Sequence, residues 1–179
     1  MFYSLAIFTC RNDPEDGNGS ADDGPFENWQ DVFRETVIVE FEDEVPLVQI
    51  VKDVESDTDA DILMCAAADV LFDKRSVWDV VDRVCAQDPK ELHGDFLMLG
   101  RQSGGSACYF FRRGMFHDLP PTAVVQDVRV LVKYCLARNI PVIDASIALN
   151  IEPLNQNRDD FLSLPVSHVL CNDGIIVAK

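Results

Sequence analysis

The chain has 179 residues, 47% of them hydrophobic and 26% charged, which is apolar material enough for one ordinary domain and excludes disorder as a global description. Fifteen basic against 31 acidic residues give a net charge of −16, so direct binding to nucleic acid or to an anionic membrane is not expected, since both repel the chain at long range. Nine Gly, nine Pro and six Cys exclude the collagen-like and disulfide-miniprotein classes.

Phe2–Thr9 (FYSLAIFT) is aromatic and β-branched enough for a strand. The same stretch has neither the basic flank nor the cleavage site of a secretory signal and is too short to span a bilayer. An intracellular protein, cytoplasmic or nuclear, is expected. Residues 11–25 (RNDPEDGNGSADDGP) combine Gly, Pro, Asn and Asp without periodicity and predict a mobile acidic loop. In FENWQDVFRE, Phe26, Trp29 and Phe33 recur at helical spacing and predict a short amphipathic helix. TVIVEF and PLVQIV read as two strands joined by a hairpin around the intervening acids and Pro46. Acids at alternate positions, Asp53 to Asp61, lead into DILMCAAADVLF. This segment is expected to be a helix capped by Ser56, Asp57 or Thr58. A second helix, SVWDVVDRVCA, follows.

DFLMLG and ACYFFRR predict a hairpin around the Ser- and Gly-rich RQSGGS. TAVVQDVRVLVKYCLAR is the strongest helix, with Pro121 near its start and Asn139 at its end. IPVID reads as a buried strand, and residues 145–151 as the start of another helix. VSHVLC and GIIVA read as strands around the turn Asn172-Asp173-Gly174. The order predicts one α+β domain over residues 1–179, with about four helices on a mixed, mostly antiparallel sheet. The unit that ends in IPVID is expected to supply one parallel pair. A weak echo between residues 56–99 and 121–164 (Val77/Val142, Asp79/Asp144, Asp95/Asp160, Phe96/Phe161) suggests a degenerate duplication. The segments IPVID, ASIALNIEP and DDFL are similar to the C-terminal half of a BRCT-type repeat. Ile147 stands where that family carries an aromatic and its Gly pair is absent, so the chain is not assigned to it.

Motifs for defined chemistry are missing. There is no G-x-G-x-x-G, no P-loop and no C-x-x-C. Asp16, Asn18, Ser20 and Glu27 imitate a calcium loop, but Ala21 replaces its Gly. His168-x-x-Cys171 offers two metal ligands and no more. No cofactor, no metal and no catalytic residue is assigned. The six cysteines, Cys10, Cys65, Cys85, Cys108, Cys135 and Cys171, sit in apolar stretches and are expected to be buried free thiols.

Charge is the most informative feature. Residues 1–61 hold 17 acidic against three basic residues, a net −14, and the other 118 residues carry −2. An acidic third of this kind suits a non-enzymatic binding or regulatory protein, of inhibitor or nucleic-acid-mimic type such as viruses and phages use, that engages a basic protein partner. The candidate acidic face is Asp13, Glu15, Asp16, Asp22, Asp23, Glu42, Asp43, Glu44, Asp53, Glu55 and Asp57. The alternative is a small enzyme or binding domain for an anionic, phosphate-bearing ligand. Arg101, Arg112 and Arg113 would hold the anion and Cys108, His117 or Asp144 would stand in the chemistry. That alternative requires the arginines to converge. A third alternative is a subunit of a viral or cellular assembly, including a homo-oligomer.

Overall fold

The computed structural model describes residues 4–12, 24–41, 45–66, 70–86, 94–100, 108–123, 128–149, 151–153 and 164–178. The elements are β1 (Leu5–Asn12), α1 (Gly24–Val32), β2 (Glu35–Phe41), α2 (Leu47–Asp57), β3 (Ile62–Ala66), β4 (Val70–Phe72), α3 (Lys74–Ala86), β5 (Leu97–Gly100), β6 (Cys108–Arg112), α4 (Val128–Ala137), β7 (Val142–Asp144), β8 (Ile151–Pro153), β9 (His168–Cys171) and β10 (Gly174–Val177). Eight strands form one sheet in the order β10-β9-β7-β5-β6-β3-β1-β2, and β4 pairs with β8 in a separate two-stranded sheet.

The expected mixed sheet with four helices is present, but it is mostly parallel rather than mostly antiparallel. β1 pairs parallel with β2 and β3, as β7 does with β5 and β9, while β6 and β10 run the other way. Two segments account for the difference. PLVQIV belongs to α2, not to a strand. Leu47, Ile50, Val51 and Val54 are buried at the i, i+3, i+4, i+7 spacing of a helical stripe, and six residues were too few to separate that from alternation. A helical crossover therefore joins β2 to β3, where a hairpin was expected. DILMCAAADVLF is not a helix. It forms β3, with all five residues buried, and then β4. A strand hydrogen-bonded on both sides and covered on both faces is apolar throughout and loses its alternation. Ser56 and Asp57 accordingly end α2 rather than cap a following helix, and Thr58 is its C-cap.

Two apolar clusters fill the interior, one on each face of the sheet. On one, Leu5, Ile7, Ile62, Met64, Cys108 and Phe110 meet Trp29 and Val32 of α1 and Val77, Val80, Val81 and Val84 of α3. On the other, Ala6, Phe8, Leu63, Tyr109 and Phe111 meet α2 and Val128, Leu131, Val132 and Cys135 of α4. Polar handles fix the layers. The Trp29 indole N–H donates to the Val70 carbonyl at 2.7 Å, and the Asn28 amide bonds both backbone groups of Phe72 at 3.0 and 2.8 Å. The Trp78 indole donates to the Val32 carbonyl at 3.0 Å, tying α3 to α1.

The other expected elements hold with shifted ends. α1, α3, β5 and β6 lie where the periodicity puts them, and the parallel pair of β5 and β7 forms across α4. Residues 145–149 make a single turn closed by Leu149 N–H on the Ala145 carbonyl at 2.9 Å, not a helix. Val77 and Asp79 fall on α3 but Val142 and Asp144 on β7; residues 160–162 of the echo lie outside the described residues. β9 and β10 close a hairpin at Gly174, whose φ of 135° only glycine adopts at ease. Among the described residues no helix is long and apolar enough to cross a membrane.

α4 ends as its sequence predicts. Asn139 has φ 56°, Ile140 N–H bonds the Cys135 carbonyl at 2.9 Å, and Asn139 N–H bonds the Leu136 carbonyl at 3.2 Å, the paired closure of a Schellman motif. Asn tolerates this left-handed conformation and Ala does not. Asn139→Gly is expected to leave stability nearly unchanged and Asn139→Ala to lower it by about 1 kcal/mol. Urea unfolding of both variants checks the difference.

Candidate functional site

The parallel strands define two edges. At their C-terminal ends lie Asn12, Phe41, Ala66, Gly100, Asp144 and Cys171, the side where ligand crevices form in open α/β sheets. At their N-terminal ends lie Ser4, Asp61 and Pro141, together with Arg112 at the end of antiparallel β6.

At the C-terminal edge the parallel register pairs Asn12 with Phe41. The chain leaves β1 and β2 at these adjacent points, roughly 4.8 Å apart. Asp13, Glu15, Asp16, Asp22 and Asp23 follow the first exit and Glu42, Asp43 and Glu44 the second; all eight lie outside the described residues, as does Arg101. Cys108 opens β6 at this edge. It is fully buried, and burial pushes its thiol up to about 12. It is therefore a protonated core residue at neutral pH, not a nucleophile. Burial likewise pushes Cys135 up to about 12, with the Asp95 charge adding to it. The Asp144 carboxylate accepts the Ser146 N–H at 3.0 Å and the Ser146 hydroxyl, which is the turn-capping role its sequence position suggests.

The N-terminal edge carries a polar knot with no local sequence signal. Glu55 follows Leu47 and Val51 on the buried stripe of α2 and is only 7% exposed. Its carboxylate accepts the Gly114 N–H at 2.8 Å and pairs with His117 Nε2. The Arg113 guanidinium donates to the carbonyls of Glu55 and Thr58, so a cation sits on the last free carbonyls of α2. Arg113 N–H also bonds the Asp61 carbonyl at 3.0 Å. Gly114 has φ 83°, and a Cβ there meets nothing within 4 Å, so the backbone conformation rather than space requires glycine. Glu55 is thus not part of an exposed acidic face. It anchors the turn after β6 to the end of α2.

The two described arginines, Arg112 and Arg113, do not converge. Arg112 stands over the Phe96 ring at 5.5 Å, on the α1–α3 face, whereas Arg113 reaches α2 on the opposite face. His117 lies at the other edge of the sheet from Cys108 and Asp144. The anion site that requires these groups together is not assembled from the described ones. His168 bonds Ser167 Oγ through Nδ1 at 2.8 Å and, three positions from Cys171 on β9, faces the other way. Among the described residues no three His, Cys, Asp or Glu side chains cluster as a metal site. Asp53 is exposed and accepts the Gln49 amide at 2.8 Å. Asp57 is exposed at the N-terminal edge, with Asp59 and Asp61 just beyond. Of the described candidate acids, Asp53 and Asp57 therefore lie on the exposed side of α2 and Glu55 on its buried side. No family model matches the chain, and no curated protein or solved structure matches it either.

Two outcomes test the knot. Glu55→Ala removes the acceptor of a backbone N–H and is expected to cost about 1–3 kcal/mol. His117→Ala, at a half-exposed ring, is expected to cost less than about 1 kcal/mol. Equal losses in urea unfolding would mean that the pair, not the backbone contact, carries the knot. Asp61 titrates low, because the Ser4 N–H and hydroxyl donate to its carboxylate and Arg112 and Arg113 lie near. A folded value below the unfolded one gives stability that is complete above the unfolded pKa, about 3.9, and is lost as pH falls through the folded one. Wild type is expected to exceed Asp61→Asn in stability at neutral pH, and the gap to close in acid.

Proposed function

We propose that the protein is a non-enzymatic binding or regulatory protein that engages a basic protein partner through acidic segments at the β1–β2 corner of its sheet. The observation that carries this reading is the Asn12–Phe41 pairing. It brings the exits of two acidic segments side by side at the C-terminal ends of neighbouring parallel strands. Separated in sequence by a helix and a strand, the two runs leave the sheet from neighbouring strands. A concentrated negative field steers a basic surface into encounter and adds rate more than bound-state affinity. Asp53 on α2 extends the acidic character. Asp57, one turn after Asp53 on the exposed side of α2, and Asp59 carry it toward the opposite edge.

Capture from cell lysate, followed by mass spectrometry, tests the reading. Intact protein is compared with a variant neutralised at Asp13, Glu15, Asp16, Asp22 and Asp23, one neutralised at Glu42, Asp43 and Glu44, and a control neutralised at Asp57 and Asp59. A basic protein is expected from intact protein and control, at least tenfold less from the two corner variants, and little from any at high salt, where screening shortens to about 3 Å at 1 M. Equal capture by all four, or capture indifferent to salt, overturns the proposal.

A further inference from the structure

The two edges of the eight-stranded sheet are built differently. The outer strand β2 opens at Glu35, which pairs with the exposed Arg34 just before it at 3.8 Å, a charged guard typical of an edge that must not pair. The other outer strand, β10, reads Gly-Ile-Ile-Val and has no charge or proline within it. Ile176 is 55% and Val177 71% exposed, and among the described residues only β9 pairs with this strand. Its open side has a definite hydrogen-bonding pattern. Ala178 N–H bonds the Ser167 carbonyl at 2.9 Å, so by antiparallel alternation Ile176 also turns its backbone groups to β9. Ile175 and Val177 then present their N–H and C=O outward.

We infer that β10 pairs antiparallel with β10 of a second copy of this chain, about a two-fold axis at Ile176. In that register each Ile175 faces the second copy's Val177, and both have the outward groups that a bonded pair requires. Ile176 meets its own counterpart in the close, non-bonded position between them. The edge is self-complementary, as a two-fold contact demands. Charge selects the same occupant. The −14 third of the chain includes β1 and β2, at the far side of the sheet from β10. Seven inter-strand steps put about 34 Å between the two edges, several times the roughly 8 Å over which charge is felt at physiological ionic strength. Joining two copies at β10 holds their acidic ends as far apart as the sheet permits, and it buries the exposed Ile176 and Val177. The contact is small, so association belongs to the weak, transient class.

Sedimentation equilibrium on the intact chain over a concentration series tests this. The expected result is a mass that rises from 20.0 kDa toward twice that value, equally at low and high salt. Ile176→Lys installs the missing guard and is expected to weaken association at least tenfold. Val177→Pro removes only an outward N–H and is expected to do the same. Circular dichroism and urea midpoints identify a variant that has failed to fold, in which case the other variant decides. A monomer at every concentration, unchanged association in both folded variants, or dissociation by salt, as for a contact between acidic and basic surfaces, overturns the inference.

Discussion

The strands at the centre of the sheet, β1, β3, β6 and β5, have no face left for water, and the rest of the molecule follows from covering them. Leu5 and Ile7 point into one apolar cluster and Ala6 and Phe8 into the other. The same division recurs on β3 and β6. Two half-cores need two helical layers, which is why α1 and α3 lie on one side and α2 and α4 on the other. Each helix supplies a stripe at i, i+3, i+4 rather than an apolar cylinder. Loss of any one layer would expose a row of Phe, Ile and Leu to solvent at roughly 25 cal/mol for each Å² uncovered.

The same constraint explains which parts of the fold were legible in the sequence. α3 and α4 have one wet face, so their periodicity survives in the residues. The hairpin of β9 and β10 has a turn signal at Asn172-Asp173-Gly174, and Asn139 marks the end of α4 by its own conformational tolerance. β3 has no wet face and therefore no period. ILMCA followed by AADVLF imitates a buried helix as well as a strand, and only the neighbours on each side decide. α2 failed for the opposite reason. PLVQIV is too short to tell 3.6 from 2, and the apolar residue that would settle it, Val54, stands among acids assigned to a cap. Extending the stripe by one turn would also have exposed the nature of Glu55, which follows Val51 by four and so faces inward.

The site was legible in charge but not in geometry. Composition alone concentrates the acids in the first third, and no count can say that Asn12 and Phe41 are partners. That depends on β1 and β2 being parallel and on their register. Conversely, Arg112 and Arg113 look like one basic dipeptide, yet alternation sends them to opposite faces. Arg113 meets the carbonyls at the end of α2, a role that depends on α2 being a helix at all.

Segregation of charge also reconciles a net −16 with a tightly buried interior. Self-repulsion destabilises a compact state when like charges must be brought together on folding. Here most of the excess resides in segments beyond the strand ends, at 13–23 and 42–44, and on the exposed side and C-terminal end of α2. The remaining 118 residues, which supply β3 to β10 with α3 and α4, are nearly balanced. The one carboxylate drawn inward on α2, Glu55, meets a backbone N–H and an imidazole rather than another acid. Folding therefore gathers the apolar faces of α2 and the sheet while drawing this one acid in with its partners already in place.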